Sequence, residues 1–444
     1  DFSAAGINLV DNPNFTDGTD QVLNGDFATD LANWNNKSST STWVSGSAVV
    51  DNSIGNLFSG LYQDIGLVSG KSYKLTATLK LNSGDSNGAF RVFTSTSVGS
   101  SQSAIFTGDT LIIGGASVTE TFYFTHSGTN VSIQFACGAE NAIFEVDNVS
   151  CEELGADWST SGGLEFTNDG AFFNVVGGAF TKCEQSLSYT IGNSYKVSFE
   201  LTGDGSTNEM KVMDDGSSSG GLNEVIEIST ATPTTHTFYF VANANSDSIY
   251  FKRNTPSGNY SFTIDNISVQ ELGEGWYEQD TGAMSIVAEG LKITTATAGS
   301  NRVSQNDVTE DGKSYKVTVV VDSISTPTLN DKLFYYDGLA YINIPLTTPK
   351  SYTFYYTRVG TLDRWIFDLR NGATTSDNIV ISSVTVQELD PNGYWTLGTG
   401  WSIGDTKAIS TVTGSDSDIT QSILTVGKTY RTVYEIVDYD AGTA

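Results

Sequence analysis

Apolar and polar residues alternate with a period of two in the most regular segments of the chain. In YKLTATLKL, Tyr73 and every second residue up to Leu81 are apolar, whereas Lys74 and every second residue up to Lys80 are polar. This is the period of a strand with one buried face and one solvated face. No stretch of ten or more residues shows the apolar period of a helix. The pattern therefore predicts an all-β protein.

This segment belongs to a phrase that recurs four times, at intervals of about 120 residues. GKSYKLT starts at Gly70, GNSYKVS at Gly192, GKSYKVT at Gly312 and GKTYRTV at Gly427. A glutamine lies six or seven residues before each glycine: Gln63, Gln185, Gln305 and Gln421. Despite its Gly-Lys-Ser, the phrase is not a phosphate loop, because no glycine precedes it at the required spacing and a strand follows. It predicts a turn into a core strand.

Two further phrases keep the same order and period. TFYF occurs at 121–124 and 237–240, and TFYY at 353–356. The endings VDNVSCEEL, IDNISVQEL and ISSVTVQEL close at Leu154, Leu272 and Leu389. The phenylalanines of TFYF are predicted to face the core and the tyrosine the other side. In the ending phrase, strict alternation places Phe144 and Val149 on opposite faces, so that strand is predicted to be apolar on both.

A period near 118 residues matches a whole β-sandwich domain. We predict a tandem array of jelly-roll domains at 22–154, 155–272 and 273–389, with an incomplete fourth at 390–444 that lacks the second and third phrases. Residues 1–21 contain NLVDNPNF, which resembles the domain-opening VLNGDF, but they are too short for a domain and are interpreted as a connector. The junctions EELGADW and QELGEGW are too short for flexible coils, so the array is predicted to form a rod. The unfinished fourth domain predicts that the protein continues beyond residue 444.

Composition then excludes several classes of partner. The 444 residues include 51 Asp and Glu but only 22 Lys and Arg, for a net charge of −29. Such a surface repels nucleic acid and anionic membranes, so neither is an expected partner. No apolar run of about 18 residues exists, so membrane insertion is not expected. The 45 glycines and an aromatic content of 11% suit a turn-rich β protein.

The candidate chemistry is sparse. Three cysteines do not recur at one repeat position and form no CxxC pair, so no zinc site is predicted. Two interpretations stay open for them: buried free thiols, or one disulfide between Cys151 and Cys183. His126 and His236 are the only histidines and occupy different repeat positions. No nucleophile elbow, catalytic triad or dinucleotide motif is present, so we expect no enzymatic activity and no catalytic residues.

The ordered motifs NGDF, GKSYK, TFYF and DNVSCEEL resemble those of jelly-roll carbohydrate-binding modules, in the divergent tandem form found in bacteriophage virion proteins. The resemblance covers the chain from about residue 22. It implies a structural calcium near the opening and closing motifs, held by oxygen ligands. The matching positions are Asn24, Asp26 and Asp147 in the first domain and Asp265 in the second; the third has Ser382 there. The alternative is that these Asp and Asn residues cap strand ends.

The resemblance also implies an aromatic platform that stacks on sugar rings. Its candidates are the tyrosines that leave the phenylalanine face and three tryptophans: Tyr123, Tyr239, Tyr355, Trp43, Trp276 and Trp365. The alternative is that these rings only pack within the domains.

The leading functional hypothesis is a non-enzymatic protein of the virion surface, such as a phage tail fibre, head fibre or capsid decoration, that attaches to host glycans through repeated weak contacts. Its expected partners are other virion or cell-surface proteins, and a homo-oligomer such as a trimer is expected. One alternative is the carbohydrate-binding array of a secreted polysaccharide-degrading enzyme. Another is an extracellular bacterial adhesin or filament subunit.

Overall fold

The computed structural model describes residues 5–15, 18–53, 58–84, 90–94, 106–107, 111–138, 141–280, 283–295, 299–306, 308–325, 332–336, 341–345, 348–358, 364–371, 377–390, 393–404, 406–411 and 416–438. Every regular element in these ranges is a β-strand, which confirms the all-β class. The contacts define one compact unit of Ala5–Leu272 and another that contains Gly273–Ala444. Each unit is described by itself, and the predicted rod stays a prediction.

The first sandwich has two antiparallel five-stranded sheets. The first described strand, β1 (Ala5–Asn8), belongs to the second sandwich. The strands of the first sandwich are β2 (Asn35–Lys37), β3 (Thr40–Val44), β4 (Ser47–Asp51), β5 (Gly60–Asp64), β6 (Ser72–Ser83), β7 (Phe90–Phe93), β8 (Phe106–Thr107), β9 (Val118–Thr125), β10 (Ser132–Cys137) and β11 (Ile143–Leu154). One sheet has the order β3-β4-β11-β6-β9 and the other β2-β5-β10-β7-β8. The predicted alternation in β6 is confirmed, because Tyr73, Leu75 and Leu79 are fully buried.

The second sandwich repeats this plan with its own separate core. Its strands are β12 (Ser159–Ser161), β13 (Leu164–Thr167), β14 (Gly170–Val175), β15 (Lys182–Ser186), β16 (Ser194–Gly203), β17 (Glu209–Met213), β18 (Asn223–Glu227), β19 (Thr234–Val241), β20 (Ser248–Arg253) and β21 (Tyr260–Leu272). The sheets are β13-β14-β21-β16-β19 and β12-β15-β20-β17-β18. The strand β1 also pairs with β21, so the first of these sheets has six strands.

The other unit contains a third sandwich and part of a fourth. The third is built from β22 (Trp276–Glu278), β23 (Met284–Val287), β24 (Gly290–Thr294), β25 (Gly299–Asn306), β26 (Ser314–Ile324), β27 (Lys332–Tyr336), β28 (Tyr341–Pro345), β29 (Lys350–Thr357), β30 (Arg364–Asn371) and β31 (Asn378–Leu389). Two short antiparallel pairs follow: β33 (Trp401–Ile403) with β34 (Ala408–Ser410), and, enclosing them in sequence, β32 (Thr396–Leu397) with β35 (Ile419–Thr420).

The repeated Gly-x-x-Tyr phrase is a turn closed by its own tyrosine. In the first copy, Gly70 has a φ of +88°, and the Lys71 N–H donates to the Val68 carbonyl. A positive φ at the third position of such a turn favours glycine. The Val68 N–H then donates to the Tyr73 hydroxyl at 2.9 Å. The same clamp recurs in the other three copies, on the hydroxyls of Tyr195, Tyr315 and Tyr430. The phrase is therefore architectural.

The fourth copy differs from the prediction, because no strand follows Gly427 in the described residues up to 438. Val433 and Tyr434 are 75% and 78% exposed, since the described part of this domain offers no opposing sheet to bury them. The turn itself still forms, with the Thr425 N–H donating to Tyr430 at 2.9 Å. Local hydrogen bonds thus suffice for the turn, whereas the strand requires a sandwich partner.

The ending strands correct another prediction. In β11, Asn148 has a φ of +48°, and the register shifts between Asp147 and Ser150. This bulge inserts one residue, so Phe144 and Val149 face the same core instead of opposite sides. Asn266, with a φ of +52°, makes the same bulge in β21. Both ending strands are therefore apolar on one face only.

The N-terminal segment is not a connector. Phe15 is fully buried in the core of the second sandwich, and its ring centroid lies 4.9 Å from that of Trp158. The opening segment of the first sandwich begins later, at Asp20, which bridges to Glu152 of β11. Residues 5–15 thus belong to the second sandwich, although the first sandwich lies between them in sequence. The reason is that their apolar side chains are buried only in that core.

The three cysteines are free and buried. Cys151 lies in the first core and Cys183 in the second, so the disulfide interpretation is wrong and the free-thiol interpretation is confirmed. Burial raises the pKa of both thiols above the ordinary range. They are packing residues.

Candidate functional site

The three tyrosines predicted to form glycan platforms have different surroundings in their domains. Tyr123 lies on β9 opposite Lys74 of β6, and its hydroxyl donates to the Asn168 side chain of the second sandwich at 2.9 Å. Tyr239 is half-buried, and Tyr355 is 36% exposed with the Lys316 ammonium 5.9 Å from its ring centroid. Tyr123 thus forms a hydrogen bond between the first and second domains. A glycan role for these residues stays a prediction.

The predicted tryptophans differ in exposure. Trp43 is 43% exposed, and its indole N–H donates to the Phe27 carbonyl. Trp276 is only 8% exposed and stacks on Phe367 at 6.1 Å, so its ring is not available as a platform. The Trp365 side chain lies outside the described residues. Trp276 packs inside its domain because it takes the position that Trp34 and Trp158 hold in the earlier repeats.

The predicted calcium ligands of the first domain are partly brought together. The Val149 N–H donates to the Gly25 carbonyl at 2.9 Å, so the opening and closing motifs lie side by side. Burial first, and then the charge of Asp26, raise the pKa of Asp147. The Asn24 amide instead donates to the backbone carbonyls of Asp30 and Ala32 at 3.1 Å. The Asn24 amide therefore shapes the loop.

In the second domain, burial first and then the Glu200 charge raise the pKa of Asp265. Among the described residues, no group of three or more His, Cys, Asp or Glu side chains is arranged to hold a metal ion. Calcium stays a prediction.

The structure reveals a different candidate surface, on the outer face of the sheet β12-β15-β20-β17-β18. Lys182, Lys252 and Lys211 are direct register partners on three neighbouring strands. The residues next to them, such as Phe251, point inward into the second core. Like charges directly opposite each other on a sheet repel. We call Lys182, Lys252 and Lys211 the lysine row.

Two members of the lysine row lie over the ring of Tyr250. The Lys182 and Lys252 ammonium groups are 5.2 Å and 5.9 Å from its ring centroid. A cation held over an aromatic face is attracted by the ring quadrupole, so Tyr250 orients both side chains. Only Lys182 has a carboxylate partner among the described residues, Glu184 at 2.5 Å. Burial first, and then the charge of Lys211, lower the pKa of Lys252.

The loop at 214–222 is stabilised by internal hydrogen bonds and contacts one member of the lysine row. Asp214 is fully buried and accepts the N–H groups of Gly221 and Leu222, both at 2.9 Å. Within the same loop, the Ser218 hydroxyl accepts from the Lys211 ammonium at 3.3 Å. This hydrogen bond orients the Lys211 ammonium group beside Lys252, its register partner. The surface is a preorganised cationic patch on a chain of strongly negative net charge.

The equivalent outer face of the first sandwich has no lysine row: Lys37, Asp64 and Arg91 share it, so its charges are of both signs. Tyr62 of β5 is half-buried and lies between Asn35 of β2 and Gln134 of β10. The Phe58 and Phe93 rings meet edge to face at 5.6 Å beside this row. A phenol flanked by amide side chains can accept and donate hydrogen bonds to a neutral polar ligand.

Sequence reasoning missed both outer faces because it followed the phrases that recur. The shorter sheets vary between repeats, so no repeated phrase marked them. The available signal was local: in SIYFKR, Tyr250 and Lys252 alternate with the core residue Phe251. In this chain, residues that recur in every repeat maintain the shared fold. Outward residues that differ between repeats give each domain a different surface.

No family model matches the chain, and no curated protein matches it. Among solved structures, it is similar to the N-terminal CBM22-1-CBM22-2 tandem domain from Paenibacillus barcinonensis Xyn10C, at 9% identity over 58% of this chain and 98% of that one, with a TM-score of 0.24. It is also similar to a CBM4 structure, at 16% identity over 26% of this chain and 77% of that one, with a TM-score of 0.21.

A third similar structure bears the description "The Triple Jelly Roll Fold and Turret Assembly in an Archaeal Virus", at 14% identity over 87% of this chain and 97% of that one, with a TM-score of 0.18. TM-scores this low do not assign the chain to a family. The part of the chain that the structure describes contains no helix long and apolar enough to span a bilayer.

Proposed function

We propose that this chain is a non-enzymatic protein of an extracellular or virion surface, in which tandem jelly-roll domains present separate glycan-binding faces. The lysine row carries the proposal. Lys182 is paired with Glu184, whereas Lys211 and Lys252 are register partners and have no carboxylate within ion-pair distance among the described residues, so a bound anion would relieve the repulsion between them. The acidic groups of a uronate or sulfated polysaccharide are such anions.

We expect the outer faces of the first two domains to bind different ligands. The lysine row favours an acidic sugar, whereas Tyr62 and its amide neighbours, on a face with charges of both signs, favour a sugar without net charge. Each site is small and partly exposed, so single contacts would be weak and repetition along a polymer would raise the avidity.

The test uses the full chain and affinity electrophoresis in gels that contain polygalacturonate or a neutral β-glucan. Lys252→Gln should lose at least about half of the retardation by polygalacturonate and none of that by the neutral glucan, because one of three ligating charges is removed. Lys196→Gln is the matched control, since Lys196 is also half-buried, in the same domain but on the other sheet, opposite Tyr239. Equal retardation of wild type and Lys252→Gln by the acidic polymer would refute the proposal.

A purely structural role is the second candidate, and one repeated contact favours it. The Ser72 hydroxyl of the first domain accepts the Phe166 N–H of the second at 3.4 Å, and the Ser314 hydroxyl of the third accepts the Ile403 N–H of the fourth at 3.3 Å. The same serine of the repeated phrase thus contacts the next domain at two junctions, which supports a stacked arrangement. A fibre, a capsid decoration or a trimeric assembly would use such stacking, and negative-stain microscopy of the intact chain tests it: rigid particles of one shape support it, and variably bent ones contradict it.

A further inference from the structure

The lysine row is a single line of positive charge, and the row next to it on the same outer face is acidic. Residues two positions apart on a strand point to one face and lie about 7 Å apart. Glu209 therefore shares the outer face of β17 with Lys211, and its register partner on β18 is Glu227. The Glu209 carboxylate accepts from the Asn254 amide at 2.8 Å, which orients it. This acidic pair borders the lysine row at its Lys211 end.

The acidic pair does not stabilise the sandwich. Like charges directly opposite each other on a sheet repel. The strand β18 is the edge of its sheet, and Glu227 is exposed there. Because the pair costs stability, its position beside the proposed binding face indicates a role in ligand selection.

The loop at 214–222 brings negative charge to the opposite side of the lysine row. It folds back over the outer face, where a Cβ on Gly216 would lie 3.8 Å from the Tyr250 ring. Asp215 of this loop is buried, and its carboxylate accepts from the Ser217 hydroxyl. Although burial raises the pKa of Asp215, its hydrogen bonds, first that from Ser217, bring it below the ordinary value. The loop therefore holds a charged carboxylate.

Two carboxylates act on the lysine row from the side of this loop. Glu184 shares the outer face of β15 with Lys182 and pairs with it at 2.5 Å. Burial first lowers the pKa of Lys252, whereas the charge of Asp215 raises it. The lysine row is therefore only one residue wide and has negative charge on both sides.

We propose that these acidic flanks restrict the lysine row to a linear polyuronate, with one carboxylate on each sugar ring, and that Glu209 and Glu227 are specificity-determining residues. The inference rests on the glycan-binding role proposed for the lysine row and selects one of its two ligand classes. On a densely sulfated chain, anionic groups project from several positions of each ring. Some of these groups would face an acidic flank, and like charges across an interface reject the wrong partner.

The test compares the retardation of the full chain in gels that contain polygalacturonate or dextran sulfate at one ionic strength. The readout is the ratio of retardation by dextran sulfate to retardation by polygalacturonate, each relative to a gel without polymer. Glu227→Gln should raise this ratio at least about twofold, because a repulsive charge beside the row is removed. Adding Glu209→Gln to this variant should raise it further. Glu224→Gln is the matched control, since Glu224 is an exposed acid of the same strand whose register partner is the core residue Val212.

The outcomes separate this inference from the proposed function. If Lys252→Gln loses retardation by polygalacturonate but Glu227→Gln keeps the wild-type ratio, the acidic flanks do not select the ligand. The inference would then be overturned, whereas the proposed function would stand. An equal rise of the ratio in Glu224→Gln would also overturn it, because net charge alone would then set the preference. No effect of Lys252→Gln on either polymer would overturn both.

Discussion

Removing one hydroxyl, in Tyr195→Phe, should destabilise the second sandwich more than the same change at any other copy of the turn. The Tyr195 ring is fully buried and stacks on Phe240 at 5.6 Å, and these contacts are retained by phenylalanine. The hydroxyl accepts the Thr190 N–H at 2.8 Å and donates to the Glu271 carboxylate at 3.0 Å. Both groups lose a partner in the variant.

The magnitude follows from the two bonds. A neutral hydrogen bond contributes about 1 kcal/mol and one to a charged group about 1.5–3 kcal/mol. Glu271 keeps a second donor, the Asn193 amide at 2.6 Å, which favours the lower part of that range. We expect the free energy of unfolding of the second sandwich to fall by about 2–3 kcal/mol. Tyr430→Phe is the matched control, since Tyr430 is 49% exposed and its loss should cost less than about 0.5 kcal/mol.

Hydrogen exchange of the intact chain is the assay, because a multidomain protein has no single unfolding free energy. The slowest amides of β16 and β21 should exchange about 30- to 150-fold faster in Tyr195→Phe, since each tenfold corresponds to about 1.4 kcal/mol. The slowest amides of β6 and β11 should be unchanged. An effect no larger than that of Tyr430→Phe would refute the view that the tyrosine hydroxyl clamps the turn.

Three other predictions concern stability and reactivity. Gly192→Ala should cost about 1–2 kcal/mol in the same exchange assay, because Gly192 has a φ of +90° although its Cβ would meet no atom within 4 Å. All three cysteines should resist a thiol reagent in the native chain and react after denaturation; a native Cys151–Cys183 bridge in non-reducing mass spectrometry would contradict this. The third domain should lose stability as the pH falls below about 4, because Arg302 holds the pKa of Asp280 below its ordinary value, so that the folded form favours the charged carboxylate. Asp280→Asn should flatten that part of the pH profile of the melting temperature, and an unchanged profile would contradict the assignment.

The sequence was sufficient to predict those features that depend on the local alternation of apolar and polar residues and on repeated motifs. The alternation in β6, the all-β class and the turns at the four glycines follow from residues close together in the chain. It was insufficient for the bulge at Asn148, because strict alternation cannot show where one residue is inserted into a ladder. The sequence also does not predict that residues 5–15 belong to the second sandwich. Their strand pairs with residues more than 250 positions away, and such pairing leaves no local signal.

The candidate site was harder to predict than the fold. Recurrence and aromatic character predict Tyr123 and Trp276 as platform residues, but both have packing partners in the structure. The lysine row arises only when Lys182, Lys211 and Lys252 come together on neighbouring strands. Neither their spacing nor their local sequence indicates that they share one face of a sheet.

Chemical-shift mapping of the intact chain with a galacturonate hexamer tests the functional account most directly. Resonances of the side chains in the lysine row and of Tyr250 should shift together and saturate at one concentration, and the shifts should vanish in Lys252→Gln. Shifts centred on Tyr239 and Lys196, or no shifts on either sheet of the second sandwich, would contradict the account.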